Sequence, residues 1–198
     1  MPSQEEDISP PAEHLFSYEL KIPKDRVAVL IGKKGEMKKR LEEDTQAKLK
    51  IDSKEGDVVI SGKDSLGIYT AREVVHAIAR GFNPEIATLL LKNDYMLEVV
   101  DLRDYATTKN SMLRLKGRVI GEAGKSRRVI EELTETNICV YGKTVSIIGE
   151  IVNVGIAKSA IEKLLEGGMH SGIFHELEKK RKDQKLRKMQ ESFDLRNA

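Results

Sequence analysis

Two stretches of this chain repeat one another. "LIGKKGEMKKRLEEDTQAKLKID" spans Leu30 to Asp52, and "VIGEAGKSRRVIEELTETNICVY" spans Val119 to Tyr141. Placing Gly32 on Gly121, an offset of 89 residues, brings Ile31 onto Ile120, Leu41 onto Ile130, Thr45 onto Thr134, Leu49 onto Ile138 and Ile51 onto Val140. After the next turn the offset falls to 87, and Gly62 then meets Gly149, Val74 meets Ile161, Ile78 meets Leu165 and Gly81 meets Gly168. The two-residue change falls where loop length is tolerated. A chain of 198 residues with this pattern is two small units of one design.

Each unit reads in the same order. "LFSYELKIP" alternates apolar and polar residues, as a strand does. "RVAVLI" fits a strand or a short buried helix, and periodicity leaves both open. Glu36 to Gln46 is made of helix formers, "AKLKID" and "VVISG" are strands around a "KEGD" turn, and Ser65 to Arg80 is helical with Gly81 as its C-terminal stop. Asn83–Pro84 starts a short helix, "EIATLLLK", expected to fix the two units relative to each other. The pattern then restarts. "YMLEVVDL" is a strand, "SMLRLKGRVI" is apolar and basic, and Lys125 to Thr136 is helical. "ICVYGKTVSIIG" makes two strands, Val152 to Leu165 is helical, and "IFHELEKKRKDQKLRKMQESF" is a charged final helix. The expected boundaries are an acidic, disordered leader at 1–13, a first domain at 14–82, a connecting helix at 83–93, a second domain at 94–169 and a basic C-terminal helix and tail at 170–198.

The paired glycines say what the repeated turn is for. Glycine accepts positive φ and lets another backbone come close. The amides at the mouth of the following helix attract anions. Lysine adds charge: Lys24–Arg40 and Arg114–Arg128 each carry a net +5, while the whole chain carries +2. "GEAGKS" also mimics the end of a phosphate-binding P-loop, but that motif needs a glycine where Val119 stands.

Two GxxG turns in the same element order resemble KH domains, whose GxxG loop clamps about four nucleotides of single-stranded nucleic acid. The order is that of the type I form: an α+β fold, β-α-α-β-β-α, with a three-stranded antiparallel sheet packed on helices. The resemblance implies RNA contacts at Gly32, Lys33, Lys34, Gly35, Lys38 and Lys39 in the first unit. In the second it implies Arg118, Gly121, Glu122, Ala123, Gly124, Lys125, Arg127 and Arg128, with bases lying on an apolar groove of Val29, Leu49, Ile51, Ile138 and Val140. "TNICVYGKTVSIIG" and "GGMHSGIFHELEKKR" further resemble the small-subunit ribosome assembly factors of the partner-of-NOB and Krr type, in their archaeal form, from about Leu15 to Lys182. A generic KH helix is aliphatic three places after its second glycine. Here Lys38 and Arg127 stand there, a departure these factors share. Their eukaryotic members have a degenerate first loop. Gly32–Gly35 is intact, so both units are expected to bind RNA.

With a single cysteine, no basic-then-apolar N-terminal signal and no long apolar run, the chain is expected to be a non-enzymatic monomer of the reducing cytoplasm. The resemblance implies that it binds single-stranded RNA near the 3′ end of 16S pre-rRNA during small-subunit maturation. It implies the NOB endonuclease and the α-subunit of translation initiation factor two as partners, and no cofactor. A KH regulator of mRNA or translation initiation, and a nuclease, are the alternatives. Against an enzyme, no Ser/His/Asp set or paired carboxylates stand out. His14, His76, His170 and His175 are scattered, and one cysteine, Cys139, permits neither an internal disulfide nor a thiolate zinc site. The acids of Glu42–Glu43–Asp44 and Glu131–Glu132 read as solvated helix faces, and "KKRKDQKLRK" as an rRNA-binding or merely solvated run. Aromatics at 5% with no Trp argue against a stacking RRM sheet.

Overall fold

The structure, a computed structural model, describes residues 16–197. The leader at 1–13 lies outside them. The first unit runs β1 (Phe16–Lys21), α1 (Lys24–Ile31), α2 (Glu36–Thr45), β2 (Lys48–Ile51), β3 (Asp57–Gly62) and α3 (Ser65–Ala79). A short α4 (Pro84–Ala87) continues as a 3₁₀ turn to Leu91. The second unit runs β4 (Tyr95–Asp101), α5 (Lys109–Ile120), α6 (Lys125–Thr134), β5 (Asn137–Tyr141), β6 (Thr144–Glu150) and α7 (Ile151–Leu165), followed by α8 (His170–Asn197). Both sheets are antiparallel, ordered β1-β3-β2 and β4-β6-β5. No helix among the described residues is long and apolar enough to cross a membrane.

"RVAVLI" is helical. Pro23, whose ring fixes φ, precedes the first turn, and Val27 and Leu30 fall on one buried face. Matched residues of the two units do matched work. Leu41 and Ile130 are wholly buried, and the Thr45 and Thr134 hydroxyls each donate to the carbonyl four residues back, Leu41 O at 2.6 Å and Ile130 O at 2.7 Å.

The two sheets differ in what covers them. In the first, Val58 and Ile60 face the helices, while the other face carries Lys48, Lys50, Asp57 and half-buried Val59. In the second, Val145 and Ile147 face α5, α6 and α7, yet Ile148 on the opposite face is also fully buried. It joins the first unit's core, together with Tyr95, Leu97 and Cys139. The end of α3, Phe82 and the α4 segment lie against this face, and so β6 is buried from Thr144 to Gly149 without alternation.

Polar contacts pin the same interface. Tyr141 donates to Asp25 Oδ2 at 2.6 Å, and the Arg26 guanidinium lies 6.0 Å from the Tyr141 ring centroid. Arg26 also donates to Ile78 O at 2.8 Å and Phe82 O at 2.5 Å, closing the carbonyl end of α3. Gly81 is a point of close approach between the units. It has φ +101°, and a Cβ there would come within 2.8 Å of Cys139 Sγ and 2.9 Å of Tyr141 Cβ.

Gly81→Ala is therefore expected to destabilise the chain by about 1–3 kcal/mol, since a side chain is strained at positive φ and also meets the partner strand. Gly117→Ala, inside α5 with nothing within 4 Å, is expected to stabilise by about 0.5–1 kcal/mol. Urea unfolding of the two variants beside the parent checks both signs.

Candidate nucleic-acid interface

The two GxxG turns have nearly the same backbone. Gly32 and Gly121 have φ,ψ of 74°,179° and 71°,177°. Lys34 and Ala123 sit left-handed at 54°,23° and 49°,26°, and Gly35 and Gly124 follow at 79°,12° and 77°,12°. A side-chain-bearing residue in that region costs about 1–3 kcal/mol and persists only where its surroundings impose it. The chain imposes it twice, at the same place.

The two glycines of each turn serve different ends. A Cβ on Gly32 would fall 2.7 Å from Met37 Cβ, and one on Gly121 would fall 2.6 Å from Ser126 Cβ. The first glycine thus lets the turn close onto the next helix. Gly35 and Gly124 have no protein atom within 4 Å of a notional Cβ. The second glycine faces open space, where another backbone can approach. Neither α2 nor α6 has a side-chain cap. Glu36 N–H donates to Lys33 O and Lys125 N–H to Glu122 O, which leaves the next N–H groups of each first turn without a side-chain acceptor to offer an anion.

Lys33, Lys34 and Lys39 are exposed around the first turn, and Glu122, Ala123, Lys125 and Arg128 around the second. Arg128 donates to Ala123 O at 2.8 Å and braces its loop. Lys38 and Arg127 are used differently. Lys38 pairs with Glu42 at 3.9 Å, and Glu42 accepts the Leu49 N–H at 2.7 Å. Arg127 pairs with Glu131 at 3.6 Å, and Glu131 accepts the Ile138 N–H at 2.8 Å. In each unit a cation holds a carboxylate that closes one N–H on the outer edge of the short strand.

Three expectations need correction. Arg118 points away from the loop: it donates to Leu164 O at 2.9 Å and Gly168 O at 2.6 Å, closing the end of α7 as Arg26 closes α3. Leu49 and Ile138, each 3% exposed, face the core and cannot floor an open groove. Val29, Ile51 and Val140 remain half-buried. Glu42 and Glu131 are not solvated acids but the half-buried caps just described. Their matched positions, seven residues before Leu49 and Ile138, were the available signal. Cys139 lies at the contact between units, and burial raises its thiol pKa, which disfavours the thiolate. His170 bonds Arg118 O at 2.9 Å, and His76 accepts from Arg80 at 3.2 Å.

Known proteins share this design. A family model for the second KH domain of PNO1, a eukaryotic-type, type I KH domain, matches residues 96–182, and a general KH-domain model matches 17–77. A KH domain-containing protein of Methanocaldococcus jannaschii is 55% identical over 166 residues, which is 82% of this chain and 73% of that protein. The pre-rRNA-processing protein PNO1 of Chaetomium thermophilum is 32% identical over 108 residues, 53% of this chain and 42% of that longer protein. A chain of the solved a/eIF2alpha–aDim2p–rRNA complex from Pyrococcus horikoshii superposes with TM-score 0.80 at 44% identity. The match covers 86% of this chain and 96% of that one.

Arg118→Ala is expected to lower stability by about 1–3 kcal/mol, because it strands two carbonyls that a charged donor now satisfies. Lys125→Ala, on an exposed loop, should stay within about 0.5 kcal/mol of the parent. Thermal melts of both variants distinguish the structural cation from the exposed one.

Proposed function

This chain belongs to the PNO1/Dim2 family of KH-domain proteins, and from that membership we propose that it binds single-stranded rRNA during maturation of the small ribosomal subunit. The carrying observation is the pair of GxxG turns with matched torsions, each ending on a glycine that faces open space beside exposed cations. Phosphates sit at the uncapped helix mouths, and Lys33, Lys34, Lys39, Lys125 and Arg128 supply the charge. The bound segment lies near the 3′ end of the 16S rRNA. The Pyrococcus complex, which holds aDim2p with rRNA and a/eIF2alpha, supports both the RNA and the initiation-factor α-subunit as partners. The NOB endonuclease is the cutting partner. This chain works in the cytoplasm as a monomer, holding RNA rather than cleaving it.

A KH site holds only about four nucleotides, so one site binds weakly. Two loops on one chain make the second engagement intramolecular, which raises avidity by roughly 10²–10⁴ where geometry permits.

Lys33→Asp with Lys34→Asp is expected to weaken binding to a single-stranded 3′ rRNA fragment. It should also flatten the log–log salt dependence by roughly 0.7 for each phosphate no longer neutralised. The fold should hold within about 0.5 kcal/mol, since both side chains are exposed. Glu122→Asp with Ala123→Asp should hurt less, because Glu122 is already acidic and Lys125 and Arg128 remain. Binding titrations at several salt concentrations, with melts alongside, read this out. Unchanged affinity and slope for the lysine pair would remove the first loop from the RNA site. In a separate incubation with Mg²⁺ or Mn²⁺, the purified chain is expected to leave a pre-rRNA fragment at full length. Shortened product on a denaturing gel would make it a nuclease.

A further inference from the structure

The two units leave a cleft of about 710 Å³ between them. Its walls come from β1 and α3 on one side, and from the β5–β6 turn and the segment after β4 on the other. It contains no residue of either GxxG turn. We propose that this cleft is a third RNA-binding surface, in which Arg80 and Lys143 take backbone phosphates while Tyr18 on its wall, and Tyr69 just outside it beside Arg72, take bases.

The charge distribution favours this assignment. Four of the cations lining the cleft have acidic partners: Lys21 with Asp57 at 3.4 Å, Lys24 with Glu55 at 3.7 Å, Arg72 with Glu73 at 3.2 Å and Arg103 with Asp101 at 2.5 Å. Asp101 stays ionised well into acid, with a pKa lowered to about 2 chiefly by its bond to Arg103. Arg80 and Lys143 form no ion pair among the described residues, although the Arg80 charge also acts on Asp101 across the cleft. Arg80 donates to His76 Nε2, an acceptor without charge. Burial, then Arg80 and Arg72, lower the His76 pKa, which favours the neutral ring. Lys143 stands exposed on the turn with no acidic partner among the described residues. A cation from each unit thus faces a shared space, which suits an anion that bridges them.

The aromatic rim points to nucleic acid rather than a small anion. Tyr18 and Tyr69 are 39% and 56% exposed, and the Arg72 guanidinium lies 4.7 Å and 5.8 Å from their ring centroids. Phe16, 51% exposed, precedes Tyr18 on the same face of β1. A basic channel edged by exposed rings is how proteins hold single strands without reading sequence: phosphates meet cations and bases stack. The inference rests on the RNA-binding reading and extends it. A strand held at a GxxG turn continues into the cleft.

The test uses the intact chain with Arg80→Gln and Lys143→Gln, alone and together. The probes are a labelled 3′ rRNA fragment of about 24 nucleotides and a piece of about six, little more than one KH site holds. At about 0.1 M salt each phosphate left without its cation is expected to cost roughly fivefold in affinity and 0.7 in the salt slope. The double variant should then bind the long fragment roughly 25-fold more weakly and the short one as the parent does. RNA bearing 4-thiouridine should crosslink to the peptides holding Tyr18 or Tyr69. If Arg80→Gln lowers the melting temperature, Lys143→Gln alone decides, since its side chain is exposed.

Parental affinity and slope for the long fragment, with the Lys33/Lys34 variant still impaired, would overturn the cleft proposal and leave the GxxG reading standing. The same follows if the cleft variants bind RNA normally but fail to bind the initiation-factor α-subunit, which would make the cleft a protein-docking surface. No RNA binding by the parent chain would overturn both readings.

Discussion

Ile148 lies on the face of the second sheet turned away from that sheet's own helices, and it is buried because the end of the first unit covers it. Fully burying a side chain of this size contributes about 1.5–3 kcal/mol, and Tyr95, Leu97 and Cys139 add partly buried surface around it. The arrangement of the chain depends on this packing. Arg26 closes the carbonyl end of α3 from within the first unit, where that helix ends against the neighbouring sheet. Residue 81 must be glycine because its backbone passes directly over Cys139 and Tyr141. The cleft that holds Arg80 and Lys143 is the unfilled margin of the same junction.

The loops obey an opposite requirement. Core positions bring atoms together, whereas Gly35 and Gly124 keep a volume empty. Left-handed Lys34 and Ala123 and the uncapped mouths of α2 and α6 are costs within an isolated chain. They make sense as a surface shaped before its ligand arrives. Lys38 and Arg127 show how closely this surface is joined to the fold. Each stands one turn into the helix that the loop opens, yet each spends its charge on a glutamate that seals the neighbouring strand. Charge near a GxxG turn is therefore of two kinds, and only the exposed kind is free for phosphate.

The repeat makes the element order legible, because a pattern seen twice is hard to obtain by accident. The short apolar run "RVAVLI" is ambiguous as sequence and is resolved by its one-sided burial. Burial direction is also what the groove assignment lacks. Leu49 and Ile138 belong to strands of four and five residues, too short for alternation to tell core face from groove face. Arg118 misleads because a basic residue beside a loop reads as a ligand contact, whereas its partners, Leu164 and Gly168, lie more than 40 residues away. The double burial of β6 leaves no clear trace, since "DVVISG" is as apolar in its middle as "TVSIIGE" and the two differ only in burial. Burial of the second face follows from the neighbouring unit, which local sequence does not encode.

The unlike faces of the two sheets bear on how the chain comes into being. Domains generally fold as units, the N-terminal one first during synthesis. The first sheet presents Lys48, Lys50 and Asp57 to solvent, so its outer face needs no cover from the second unit, although the end of α3 and Phe82 do meet it. The second would expose Leu97 and Ile148 on an uncovered sheet, a surface that invites association with other chains. The order of the repeats places the unit with the polar-faced sheet ahead of the one whose sheet must be covered. When β6 leaves the ribosome, the surface that must cover it has already been made.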